Sequence, residues 1–153
     1  MRIRRGKLIA EMIATGLLAT ACTSSATATP ATPAATSAAT STAGGSIAVL
    51  LIEGKVTPDR TTAPAGLVTF AIKNIGMAVH EFVVIRTDLK ASTLPVIEGT
   101  VDESGLTVVG EVENIALRAT PTLPVELVPG HYVLICNIRD HYGAGMYADF
   151  EVT

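Results

Sequence analysis

Between Ser46 and the C-terminal Thr153, apolar and polar residues alternate in short runs broken by turn residues. In "GLVTFAIKN", Leu67, Thr69 and Ala71 alternate with Val68, Phe70 and Ile72, the period-two pattern of a half-buried strand, closed by the turn-like "NIG". "MYADFEV" repeats the pattern, setting Tyr147, Asp149 and Glu151 against Ala148, Phe150 and Val152. "SIAVLLIEGKVT" is rich in β-formers and ends at Pro58, and "VHEFVVIRT" reads as a further strand. "LPVELVPGHYVLICNI" reads as two strands broken at the turn signal "PG". Residues 88–117 mix Gly, Pro and acidic side chains, which predicts loops, short strands and one helical turn. Short strands separated by turns predict an all-β domain over residues 47–153, an antiparallel sandwich or barrel.

Composition agrees with that class. Aromatic residues make up 4% of the 153, with no Trp, so the core must be built from Val, Ile and Leu. The net charge of −3 offers no basic footprint, which argues against nucleic acid as a partner.

The first 46 residues have a different character. Arg2, Arg4, Arg5 and Lys7 precede an apolar, small-residue stretch, the pattern of an export signal over residues 1–21. The stretch from Met12 to Ala21 is too short to span a bilayer as a helix. "LATAC" resembles a bacterial lipobox, which implies lipidation at Cys22 and anchoring to the outer face of the cytoplasmic membrane; the alternative is ordinary signal cleavage near Ala21, which leaves Cys22 an unpaired thiol. Residues 22–46, almost wholly Ala, Thr, Ser and Pro, carry no charge and no bulky side chain, so a flexible tether is expected. Flexible-chain scaling gives that tether a reach of roughly 25–30 Å. Loss of residues 1–21 removes four basic residues and one acid, leaving 7 against 13 and a net charge of −6. Such acidity suits an exported domain and helps steer it toward basic partners.

The chemistry concentrates in "CNIRDHYGAGM", where Cys136, His141 and Met146 follow one another at intervals of five. Thiolate, imidazole and thioether together select copper, and two His with one Cys and a weak axial Met make a blue-copper set. The second His must come from elsewhere. His131 and Cys136 are five apart on one strand, so they face opposite sides about 16 Å apart. His80, on a neighbouring strand, is free to approach. The expected ligands are therefore His80, Cys136, His141 and Met146, holding one copper. Met77, close to His80 in sequence, is expected in a loop or the core. A Cys–His nucleophile pair would leave Met146 and His80 unused. Zinc accepts Cys and His, but Met is a poor zinc ligand.

"NIGMAVHEF" followed by "PGHYVLICNIRDHYGAGMYADFEV" resembles the cupredoxins, the type 1 blue copper proteins. The two four-residue gaps resemble the longer-loop members, auracyanin and rusticyanin, more than plastocyanin. The resemblance implies a Greek-key β-sandwich, no enzymatic activity, and one-electron shuttling between Cu(I) and Cu(II) with redox proteins of a membrane-associated chain. It implies that Cys136 is the strongest ligand and that Met146 tunes the metal axially. It also makes His141, ringed by Tyr142, Gly143, Ala144 and Gly145, the solvent-facing doorway. Many relatives carry Asn after the first His to brace the ligand loop; Glu81 stands there in this chain, and Asn137 is the candidate for that bracing. A monomer is expected. Two other readings remain open at this point: extracytoplasmic copper delivery without a redox role, and an immunoglobulin-like adhesion module.

Overall fold

The computed structural model describes residues 43–153, which form eleven strands and two short 3-10 turns. The strands are β1 (Ala43–Ile52), β2 (Lys55–Pro58), β3 (Thr62–Ala63), β4 (Gly66–Asn74), β5 (His80–Arg86), β6 (Val96–Ile97), β7 (Thr100–Val101), β8 (Thr107–Ile115), β9 (Thr122–Leu127), β10 (Gly130–Ile135) and β11 (Tyr147–Val152). One sheet runs in the order β2-β1-β4-β9, the other in the order β3-β11-β10-β5-β8, and β6 and β7 pair separately.

The predicted alternation places the core. In β4, Val68, Phe70 and Ile72 are buried while Leu67 and Lys73 are exposed; in β11, Phe150 and Val152 are buried while Asp149 and Glu151 are exposed. These side chains meet Ile47, Val49 and Leu51 of β1 between the sheets. Phe70 sits at the middle, its ring centroid 5.4 Å from Phe82 and 5.6 Å from Phe150. Burial of such side chains supplies most of the driving force for packing two sheets.

Two strands do not alternate at all. Phe82–Ile85 of β5 and Tyr132–Ile135 of β10 are buried throughout. Phe82, Val84, Tyr132 and Leu134 join the core between the sheets, while Val83, Ile85, Val133 and Ile135 join a second one. That second core is closed by Ala91, Leu94 and Val101 from the segment after β5, and by Tyr142. A continuous apolar run marks a strand covered on both faces. The segment without a recognisable pattern is thus the cover of the second sheet.

Three expectations need correction. The sheets are mixed, not antiparallel: β1 runs parallel to β4, and β11 parallel to β3. Residues 88–117 hold two helical turns (Ala91–Thr93 and Glu103–Gly105) and, beyond them, the nine-residue strand β8. Its intermediate and exposed side chains, among them Glu111 and Glu113, carry no clean apolar face to betray it. The tether boundary also moves, because β1 begins at Ala43, within the stretch expected to be flexible. Composition misleads there: a Cβ on Gly44 would lie 2.6 Å from Val68 Cγ2, so a glycine that looks like linker is fitted to strand contact. Cys22 and the export signal lie outside the described residues.

The "PG" break does separate two strands, but they belong to opposite sheets. Tyr132 fixes the crossing, its hydroxyl donating to the Val128 carbonyl at 2.8 Å and accepting from the Val128 N–H at 3.2 Å.

Candidate metal centre

His80 opens β5, and Cys136 follows the last residue of β10, the strand paired antiparallel to β5. Sheet pairing therefore brings two residues 56 positions apart to one end of the sandwich. The remaining residues come from the loop between β10 and β11. Its ends are tied by the Cys136 N–H donating to the Met146 carbonyl at 3.0 Å. Within it, His141 donates to Ile138, Ala144 to Asp140, Gly145 to Tyr142 and Met146 to His141, all backbone to backbone. This run of turns brings the His141 ring back beside the Cys136 sulfur and returns the backbone at Met146 to the end of β10. Gly145, at φ 106, occupies a backbone conformation that favours glycine.

Three donor atoms converge. His80 Nδ1 and His141 Nδ1 lie 3.3 Å apart, with Cys136 Sγ 3.9 Å from the first and 3.3 Å from the second. The point equidistant from all three lies about 2 Å from each, the length of a metal–nitrogen bond. Two Nδ1 atoms facing one another beside a thiol suit a shared cation better than they suit each other. His80, Cys136 and Met146 are fully buried, whereas His141 is only partly so. The Cys136 sulfur also accepts the Glu81 N–H at 3.3 Å, which favours the thiolate a soft metal needs.

Burial sets the electrostatics of the triangle. It pushes the Cys136 thiol up, partly offset by the N–H groups of Glu81 and Ile138. It pushes His80 down, with His141 adding to the effect and Glu53 opposing it. The metal-free site accordingly favours a neutral thiol and a neutral imidazole at His80.

The other residues singled out from sequence are placed as follows. His131 sits elsewhere on β10, with Nδ1 2.7 Å from the Thr87 carbonyl and Nε2 3.0 Å from Asp149 Oδ1. Met77 is in a loop and 86% exposed. Asn137 reaches out of the ligand loop: Oδ1 accepts the Val101 N–H at 2.6 Å, and Nδ2 donates to the Val101 carbonyl and to Glu103. The Glu81 side chain instead joins Glu111 and Glu113 on the second sheet. Desolvation and those acidic neighbours push its carboxyl up to about 8. Tyr142 does not ring His141; it is buried in the second core, and Gly143 and Ala144 alone of the four expected residues are exposed.

Two residues that organise the site escaped sequence reasoning. Asn74 is fully buried, donating to the Ala78 and Ile115 carbonyls at 2.8 and 2.9 Å and accepting the Gly76 N–H at 2.9 Å. Its signal was available, since it continues the inward-facing register of Val68, Phe70 and Ile72 and a polar residue there must find partners. Glu53, in the turn after β1, accepts the N–H groups of Met77 and Ala78 at 2.6 and 2.7 Å. Nothing local in the sequence announces that role.

The same architecture recurs among solved structures. Reduced auracyanin from Roseiflexus castenholzii superposes with a TM-score of 0.57 at 18% identity, over 72% of this chain and 98% of that one. Rusticyanin from Thiobacillus ferrooxidans gives 0.56 at 13% identity, over 73% and 79% of the respective chains. An azurin from Methylomonas sp. strain J gives 0.53 at 15%, over 72% and 99%. The fold is that of the cupredoxins. No protein-family model matches the sequence, and no curated protein matches it.

Proposed function

We propose that this chain is a one-electron carrier holding a single type 1 copper through His80, Cys136, His141 and Met146. The carrying observation is the triangle of two Nδ1 atoms and one Sγ, sized to a metal bond and built from the donors that suit copper. Copper bound there supplies a Cu(I)/Cu(II) couple. The chain's own part is to hold the donors fixed. His80 and Cys136 are set by paired strands and His141 by a loop closed on itself, so both oxidation states meet nearly the same ligand frame. Buried His80, Cys136 and Met146 keep water out, and partly exposed His141 offers the route to a partner. The small, exposed Gly143 and Ala144 beside it let that partner come close. Rusticyanin, one of the proteins that share the fold, is itself described as a copper protein.

The setting completes the reading. The export signal and "LATAC" support a setting outside the cytoplasm with lipid on Cys22; in this reading the domain is a monomer that exchanges electrons with redox proteins of a membrane-associated chain. The role is that of a carrier, not an enzyme.

The test is the visible spectrum after one equivalent of Cu(II). An intense blue thiolate-to-copper band that bleaches on reduction is expected. The band should vanish in His80→Ala and Cys136→Ala; a His80→Ala variant that stayed blue would overturn the ligand assignment.

A further inference from the structure

If His80 gives Nδ1 to the metal, its proton sits on Nε2. That Nε2 is buried without a hydrogen-bond partner, the one side-chain nitrogen or oxygen in that condition among the described residues. A buried polar group left in this way needs a reason. The anion beside it is Glu53, whose Oε1 lies 3.8 Å away.

Glu53 is held firmly. The residue's own N–H, and then the Met77 and Ala78 N–H groups that grip Oε1, keep the carboxyl below its ordinary value, so it stays ionised. Gly76 lets the chain pass this close, since a Cβ there would lie 2.7 Å from the Glu53 carboxylate. The same turn also touches the ligand loop. A Cβ on Gly145 would lie 2.9 Å from the Gly54 carbonyl, and one on Gly54 would lie 3.2 Å from the Ala144 carbonyl. The Glu53–Gly54 turn therefore contacts the loop before His80 and the loop that carries His141.

We propose that Glu53 is a positioning residue for His80, a fixed anion behind the ring that aims Nδ1 at the metal and strengthens its donation. The inference rests on the copper reading. A carboxylate that takes up the far ring N–H of a ligating histidine fixes the tautomer and raises ligand basicity; at 3.8 Å Glu53 acts on Nε2 through its charge, which favours the proton there. Its negative charge also favours the more positive Cu(II) state over Cu(I).

The test is Glu53→Gln in the full chain, because Gln keeps an oxygen for Met77 and Ala78 and removes only the charge. With copper bound, the reduction potential is expected to shift upward. Without metal, the ring ¹⁵N signals of His80 are expected to shift, as Nε2 loses its anionic neighbour. A variant with unchanged potential and unchanged ring signals would overturn the proposal. So would a variant series in which only Glu53→Ala has an effect, through faster amide exchange at Met77 and Ala78, since that describes a loop cap. Should the chain take up no copper, the proposed function falls by itself, and the metal-free ring signals still decide whether Glu53 acts on His80.

Discussion

The Tyr142 hydroxyl donates to the Ala91 carbonyl at 2.7 Å and accepts the Leu94 N–H at 3.0 Å. The residue next to His141 is thereby sewn into the segment that covers the second sheet. Asn137 on Val101, Asp140 on Gly99 and Arg139 on Glu98 continue the seam along the loop. Tyr142→Phe leaves a buried N–H and carbonyl without their partner, which costs about 1–3 kcal/mol. The loss is expected in urea denaturation, together with faster amide exchange at Leu94.

Phe70 tests the core between the sheets. It touches both Phe82 and Phe150, so Phe70→Ala opens a cavity that neither neighbour can fill alone. A loss of about 3–5 kcal/mol is expected from denaturant titration. A loss below about 1 kcal/mol would mean that the two sheets do not close on this ring.

Copper uptake should release a proton. Burial raises the Cys136 thiol, and a metal takes the thiolate, while the lowered His80 brings no competing proton at neutral pH. Release of about one proton per Cu(II) is expected in a weakly buffered indicator assay, and affinity should rise with pH by about tenfold per unit while the thiol is protonated. Cys136→Ser should abolish the release.

Glu81 should make the fold less stable in alkali. Its folded pKa, about 8, stands above the ordinary 4.5, so the proton stabilises the fold below 4.5 and that contribution is lost as pH rises through about 8. Melting temperatures taken from pH 5 to pH 9 should decline more steeply in the wild type than in Glu81→Gln. Parallel curves would show that Glu81 ionises freely despite Glu111.

The three converging donors and the buried Met146 were legible because they needed only residue chemistry, a spacing of five and the alternation that sends His131 away. The strands of the first sheet were legible because Val68, Phe70 and Ile72 face one core. β8 was hidden because its apolar residues keep no single period: Val108 turns to the second core while Val109, Val112 and Ile115 turn to the first, with register shifts between them and only Ile115 fully buried. The parallel pairing of β1 with β4 is a non-local choice that no local period encodes. Tyr142 was misplaced for a related reason: adjacency to His141 in sequence says nothing of which core a loop residue turns toward. Glu53 is the extreme case, a surface-type residue in a turn whose role exists only once Met77 and Ala78 arrive beside it.

The donor triangle carries one more consequence, for competition among ions. An opening of about 2 Å to each donor fits Zn(II) as well as copper, and nothing in the placement of His80, Cys136 and His141 excludes zinc by size. Preference must come from Met146, a poor zinc ligand, from the intrinsic order of divalent affinities, in which copper exceeds zinc, and from which ion is on hand when the chain folds. Chain folded where zinc is plentiful and copper scarce should therefore carry a colourless, electron-silent fraction, its share set by supply against the preference that the donors confer.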